Sequence, residues 1–183
     1  GLFCATSLSG TNRVATSADG ITWTPQTSPI AQWYALAWSD TLNLFAAVAL
    51  GGSIMTSPDG INWTSRTAPA ANDWHEIVWA KGLGRFVVVG ITGASRVMTS
   101  EDGITWTLRT AAAAAAWRTV EWSPELGILV ALSSGGNIMS SPNGINWTSR
   151  TSPSANQYYG LVWNKDFRVI IGSAISGTNR IIT

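Results

Sequence analysis

The sequence repeats itself with a period of about 41 residues. The motif Ser-x-Asp/Asn-Gly-Ile-x-Trp-Thr occurs four times, and its tryptophans, spaced 40, 43 and 41 residues apart, are Trp23, Trp63, Trp106 and Trp147. An aromatic segment with steps of 41, 43 and 41 residues keeps the same period and starts at Trp33, Trp74, Trp117 and Tyr158. Such regularity predicts an architecture in which similar units stack in order.

Each repeat divides into four short segments with strand character, separated by turn residues. Strand 1 is the aromatic segment, whose side chains alternate in polarity as in a half-buried strand. Strand 2 is an apolar run, predicted over residues 44–49, 85–89, 128–132 and 168–171. Strand 3 is predicted over residues 53–57, 95–100, 137–141 and 179–183, and strand 4 is the Ile-x-Trp-Thr segment. The alanines at 111–116 replace a polar loop of the other repeats, so we predict a loop there despite the helix propensity of alanine.

Four antiparallel strands in each 40 to 43 residues are typical of a β-propeller blade. Large aromatic rings fill the wedge between blades, which accounts for 11 Trp in 183 residues. We predict an all-β single domain over residues 1–183, most simply a five-bladed propeller. Its first blade lacks strand 1 and its last blade lacks strand 4.

Other arrangements of the ring stay open. If one terminus completed the blade of the other, four blades would form and one strand 2–strand 3 pair would be left over. Both the five-bladed and the four-bladed arrangement leave blades incomplete or strands left over. This favours an unusual closure, a ring completed by self-association with a second chain, or a piece of a longer array, because unpaired strand edges tend to pair with other strands.

Composition excludes several classes of function. A net charge of +1 gives no field that would recruit nucleic acid, and the absence of a long apolar run argues against membrane insertion. One His and one Cys cannot build a His/Cys zinc cage. No phosphate-binding glycine loop occurs either, so we expect no cofactor and no metal.

The repeated Ser-x-Asp-Gly-Ile-x-Trp-Thr motif resembles the Asp-box (BNR-like) repeats of sialidase-like and photosystem-assembly-factor-like propellers. The resemblance covers nearly the whole chain, although the spacing from Asp to Trp is one residue shorter than usual. The longer sequence of the repeat, beyond this motif, is similar to repeats of phage tail and bacterial or viral surface proteins. Because every blade needs the same turn, we predict a structural role for the recurring residues of this motif: Asp19, Asp59, Asp102, Asn143, Trp23, Trp63, Trp106 and Trp147.

Catalysis is less favoured than binding as the function of this chain. Sialidase-like chemistry needs an arginine cluster and a Tyr nucleophile with a partner Glu, and no arginine-triad motif occurs. Glu76 and Glu121 lie on strand 1, which lines the channel of a propeller, but they occupy different positions of the repeat. We therefore predict no enzyme and no catalytic residue, and keep a glycosidase only as a remote alternative.

Near-identical blades suit multivalent binding. We predict a lectin-like propeller that binds cell-surface glycans, or another surface receptor, through repeated sites between blades; a structural or adhesive module is the alternative. Few charges with many Ser, Thr and Asn suit an extracellular or virion surface. The recurring Arg66, Arg109 and Arg150 could hold an acidic glycan. The candidate ligand-binding residues are the first aromatics of strand 1 and the loop residues before them: Trp33, Trp74, Trp117, Tyr158, Gln32, Asp73 and Gln157.

Overall fold

The computed structural model of the chain describes residues 1–177 and 180–183. Within these residues it has eighteen strands and one 3-10 turn at Lys81–Leu83. In chain order the strands β1 to β18 are Phe3–Thr6, Val14–Ser17, Thr24–Gln26, Gln32–Ser39, Leu44–Leu50, Ile54–Ser57, Thr64–Arg66, Trp74–Ala80, Arg85–Gly90, Val97–Ser100, Thr107–Arg109, Trp117–Ser123, Ile128–Ser133, Ile138–Ser141, Thr148–Arg150, Tyr158–Asn164, Val169–Ala174 and Ile181–Ile182. None of the described segments forms a helix long and apolar enough to cross a membrane.

The described strands form five antiparallel sheets that follow the chain in order. Sheet 1 is β1-β2-β3, sheets 2 to 4 are β4–β7, β8–β11 and β12–β15, and sheet 5 is β16-β17-β18. The first strands of successive sheets, β4, β8, β12 and β16, pack side by side around the centre. The predicted β-propeller with five blades and incomplete terminal blades is confirmed.

Several predicted strand boundaries are wrong. Strand 3 begins at Ile54, Val97 and Ile138 rather than at 53, 95 and 137, and strand 2 ends later than predicted, at Leu50, Gly90, Ser133 and Ala174. Strand 4 begins at the Thr after each Trp rather than at the Ile, because the backbone amides of the Ile and the next residue bond the turn side chain instead of a neighbouring strand. Strand 2 of the last blade begins at Val169 rather than at 168, since Arg168 has a φ of 52°. Asn179, the predicted start of the last strand, lies outside the described residues. The alanines at 111–116 form a loop, as predicted.

Each innermost strand contains a β-bulge, which explains the paired aromatics. Trp33 pairs with Ala49 and Trp38 pairs with Phe45, but the register skips one residue after Trp33. Trp33 and Trp38 are five positions apart, so simple alternation would place them on opposite faces. The extra residue brings both onto one face. The same skip follows Trp74, Trp117 and Tyr158, so the simple alternation predicted for strand 1 is interrupted.

The core lies between successive sheets. We call the face of a sheet that meets the previous sheet its leading face and the opposite face its trailing face. At the junction of sheets 2 and 3, Val48 and Ile54 pack against Trp74, Phe86 and Met98. At the next junction, trailing-face valines of sheet 3 pack against the leading face of sheet 4, which carries Trp117, Leu129 and Met139. Both faces of an inner sheet are therefore buried, which explains apolar runs such as the one from Arg85 to Gly90.

Candidate binding site on the innermost strands

The four turn motifs share one hydrogen-bond pattern. In each, the Ser hydroxyl oxygen accepts a bond of 2.8 Å from the Gly amide. The side-chain oxygen of the Asp or Asn accepts bonds of 2.7–2.9 Å from the two amides that follow the Gly. The Trp indole donates to the Gly carbonyl oxygen at 2.9–3.3 Å. The motif is therefore a closed structural unit.

These bonds also stabilise the charged form of the turn carboxylates. Amides of Thr22 and Ile21 and the hydroxyl of Ser17 lower the pKa of Asp19 to about 2. The recurring Ser was not singled out in the sequence, although its fixed place two residues before the Asp was a sufficient signal. The glycine is required twice over at Gly103: its φ is +72°, and a Cβ there would lie 2.7 Å from Cδ2 of Leu44 on the previous sheet.

The four aromatics predicted to bind a glycan are buried. Between 0 and 1% of the surface of each is exposed at Trp33, Trp74, Trp117 and Tyr158. Two of the indoles also bond loop carbonyls: Trp33 to Pro29 at 2.8 Å and Trp117 to Ala113 at 3.1 Å. Stacking a sugar needs an exposed ring face, so the structure does not support this role, and the rings instead fill the wedges between sheets.

The residues that precede the first aromatics lie in different sheets or in the segments leading to them. Gln32 and Gln157 are exposed, and each precedes the first aromatic of a different sheet. Asp73 is partly buried, and its Oδ1 accepts a bond of 2.9 Å from the amide of Gly51. Each of the three residues therefore belongs to a different repeat. The Nε atoms of Arg66, Arg109 and Arg150 donate to hydroxyls of the neighbouring strand within the same sheet.

The bulges project one side chain from each innermost strand. These side chains, which we call the bulge ladder, are Tyr34, His75, Arg118 and Tyr159. Their identities differ, whereas the flanking aromatics and the turn motif are nearly constant from repeat to repeat. Bulges commonly re-aim a side chain next to a functional site. Neither the turn motif nor the packing between sheets requires the residue type at the bulge position to vary.

The ladder is continuous across four sheets. The ring centroids of Tyr34 and His75 are 3.8 Å apart. Nη1 of Arg118 lies 2.9 Å from Nε2 of His75, and Nδ1 of His75 lies 2.7 Å from the carbonyl oxygen of Arg118. The Arg118 guanidinium carbon is 4.8 Å from the ring centroid of Tyr159. A stack of this kind combines aromatic and cation–π contacts.

The hydrogen-bond partners of the two ring nitrogens define the tautomer of His75. An arginine only donates, so Nε2 must accept, and Nδ1 carries the proton and donates to the Arg118 carbonyl. Burial lowers the pKa of His75 to about 4, and the nearby charge of Arg118 acts in the same direction. His75 is therefore neutral at pH 7, and Arg118 is the cation of the ladder. The Arg118 Nε is buried without a partner among the described residues.

Two carboxyl groups lie on the strands that carry His75 and Arg118. Glu76 follows the bulge in β8, and Glu121 lies on the neighbouring strand β12. Burial raises the pKa of Glu76 to about 7, and the charge of Glu121 raises it further. Burial also raises the pKa of Glu121. Near neutral pH Glu76 therefore carries less negative charge than a free carboxylate.

Comparison with known proteins supports the fold. No model of a known protein family matches the chain, and no curated protein matches its sequence significantly. Solved structures do match: virginiamycin B lyase from Staphylococcus aureus has a TM-score of 0.75 at 12% identity, with 89% of this chain and 56% of that chain covered. A chain of the nidogen/laminin complex has a TM-score of 0.71 at 13% identity, with coverages of 95% and 70%.

A third similar structure is YCF48 bound to a D1 peptide. It has a TM-score of 0.64 at 18% identity, with 95% of this chain and 61% of that chain covered. This chain thus spans only part of the length of these structures. At such identities the likeness shows the fold alone. The protein belongs to the β-propeller class.

Proposed function

We propose that the protein is a non-enzymatic, lectin-like propeller that binds a carboxylate-bearing glycan across the bulge ladder. The observation that carries the proposal is the sequence of side chains along the ladder. Two exposed tyrosine rings, Tyr34 and Tyr159, flank a buried neutral imidazole and a guanidinium. The site replaces the buried aromatics first predicted for this role.

The tyrosines supply the surfaces that a sugar needs. Tyr34 is 36% exposed and Tyr159 is 39% exposed, so each ring keeps an open area although it contacts its neighbour in the ladder. Apolar sugar faces pack against aromatic rings, and the phenol oxygens can donate or accept hydrogen bonds to hydroxyl groups. The two rings lie at opposite ends of the ladder, so a glycan of several units could contact both.

Arg118 supplies charge selectivity. Its guanidinium is held in place by His75 and by the Tyr159 ring, so little side-chain entropy is lost when an anion binds. Arginine suits carboxylates because its planar donors match their geometry. An acidic sugar bound here would place its carboxylate at Arg118 and its ring on a tyrosine.

Binding of matched oligosaccharides tests the proposal. An oligogalacturonate and its methyl ester share one sugar skeleton, but only the first carries carboxylates. We expect calorimetry to detect the acid form, with affinity reduced about tenfold or more in Tyr34→Ala and Arg118→Gln. Phe167→Ala is the control, since Phe167 is 81% exposed in a turn away from the ladder. If the acid form does not bind, if its methyl ester binds equally well, or if the ladder variants bind normally, the proposal fails.

A structural or adhesive role that uses protein contacts is the second candidate. The observation that favours it is that two similar structures, the nidogen/laminin complex and YCF48 bound to a D1 peptide, are protein complexes. Other similar structures are enzymes by name, among them a GH74 enzyme from Niastella koreensis. We propose no turnover for this chain, and an extracellular or virion-surface location, in keeping with its low charge and its many Ser, Thr and Asn residues.

A further inference from the structure

The leading face of sheet 1 is uncovered. Phe3 pairs with Ser17 as Phe45 pairs with Ser57 and as Phe86 pairs with Ser100, so these three aromatics occupy one position of the repeat. Phe45 and Phe86 are 7% and 0% exposed, whereas Phe3 is 56% exposed. The neighbouring Ala5 is also exposed, while its counterpart on sheet 2 is fully buried. The leading face of sheet 1 therefore has an apolar surface without a partner sheet.

The trailing face of sheet 5 is uncovered as well. Ile181 pairs with Ser173 as Ile54 pairs with Val48 and as Val97 pairs with Val89. Ile54 and Val97 are buried against the following sheet, but Ile181 is 61% exposed. Val162, on the innermost strand of sheet 5, is 55% exposed. Within the described residues, the two ends of the array thus present opposite faces to solvent.

The trailing face of sheet 5 and the leading face of sheet 1 are complementary, because faces of these two kinds pack together inside the protein. A trailing face packs against a leading face between sheets 2 and 3 and again between sheets 3 and 4. The Gly of the turn motif adds to the fit, because a Cβ at Gly60 would lie 3.0 Å from Leu2, the residue just before the first strand of sheet 1. At Gly20 of sheet 1, the three nearest atoms belong to Phe3 of the same sheet.

We propose that sheet 5 of one copy packs against sheet 1 of a second copy, head to tail. A second copy is the partner that the geometry favours, because every copy carries both kinds of face that pack together at the internal junctions. The contact is heterologous, so it closes into a ring if the rotation permits and extends into a filament if it does not. This inference is independent of the proposed glycan site.

Measurement of solution mass tests the inference. We expect sedimentation equilibrium to give at least twice the monomer mass of 19.4 kDa. Phe3→Lys blocks the leading face and Ile181→Lys blocks the trailing face, so each variant alone should be monomeric. Both residues are exposed in the single chain, so both variants should fold, which circular dichroism verifies. Ile30→Lys, at a site that is 81% exposed on a loop, is the control and should associate like the parent chain.

Mixing the two variants gives the sharpest result. The variant blocked on its leading face keeps an intact trailing face, and the other keeps an intact leading face. An equimolar mixture should therefore form a dimer although neither variant self-associates. A parent chain that stays monomeric at high concentration would overturn the inference, as would variants that associate like the parent chain or a mixture that stays monomeric.

Discussion

Arg118 and His75 exchange two hydrogen bonds across adjacent blades. The guanidinium donates to Nε2 of His75 at 2.9 Å, and Nδ1 of His75 donates to the Arg118 backbone carbonyl at 2.7 Å. This reciprocal pair fixes the tautomer of the imidazole and the orientation of the guanidinium. It also ties the innermost strands β8 and β12 together at their bulges. A single protonation of His75 would break the bond to Arg118.

Acid should therefore destabilise the protein through His75. The folded-state pKa of His75 is lowered to about 4 from 6.5, so its contribution to stability is complete above pH 6.5 and is lost as the pH falls towards 4. We expect His75 to account for a loss of roughly 2–3 kcal/mol in unfolding free energy across that window. Urea unfolding of the parent chain and of His75→Gln at several pH values measures the difference. Equal pH dependence of the two proteins would contradict the assignment.

Glu76 should act in the opposite direction. Its folded-state pKa is raised to about 7 from 4.5, so its favourable contribution is complete below pH 4.5 and is lost as the pH rises through 7. We expect Glu76→Gln to be as stable as the parent chain at pH 4 and more stable by roughly 1–3 kcal/mol at pH 8. Glu101→Gln is the control: this carboxylate is exposed and pairs with Arg85 at 3.0 Å, so the substitution should give no gain at pH 8. A Glu76→Gln protein with no gain at pH 8 would refute the burial of this carboxyl.

The turn motif should depend more on its Ser than on the charge of its Asp. Ser100→Ala leaves the buried amide of Gly103 without its acceptor, which should cost about 1–3 kcal/mol of unfolding free energy. Asp102→Asn should be nearly neutral, because Asn143 accepts the same two amide bonds in sheet 4. Thermal unfolding of both variants tests this ranking. The reverse order would mean that the carboxylate charge, and not the hydroxyl, holds the turn.

The first aromatic of strand 1 should be structural. Trp117 is fully buried between sheets 3 and 4, so Trp117→Ala should lower the unfolding free energy by about 3–5 kcal/mol. Trp23→Ala is the matched control, because Trp23 is 43% exposed on the uncovered face of sheet 1 and should lose far less. A stable Trp117→Ala protein would reopen the view that this ring faces a ligand.

The repeat made most of the fold predictable. A fixed period carries strand order, blade number and turn position together, because each unit must solve the same packing problem as its neighbours. What the sequence did not reveal is the bulge. Trp33 and Trp38 indicate two opposite faces by simple alternation, and only the cross-strand register shows that they share one. Register depends on pairing between distant segments, so local pattern does not contain it.

The site that we propose was missed for the same reason. Tyr34, His75, Arg118 and Tyr159 looked like ordinary second positions of a strand, whereas the neighbouring Trp looked like a binding ring. Because of the bulge, the Trp is buried between sheets, and the residue after it projects from the strand instead. The available signal was the internal comparison, since the second position varies among Tyr, His and Arg while its neighbours stay nearly constant. Unequal residues inside equal repeats indicate a role that the fold does not impose.

The most direct test of the central claim is to locate a bound acidic glycan on the protein. Chemical-shift mapping with an oligogalacturonate, compared with its methyl ester, reports which side chains it contacts. We predict shifts for the acid form that are centred on the Arg118 guanidinium and the rings of Tyr34 and Tyr159, and that disappear for the ester and in Arg118→Gln. Shifts centred away from the ladder, or identical shifts for the two ligands, would contradict the claim.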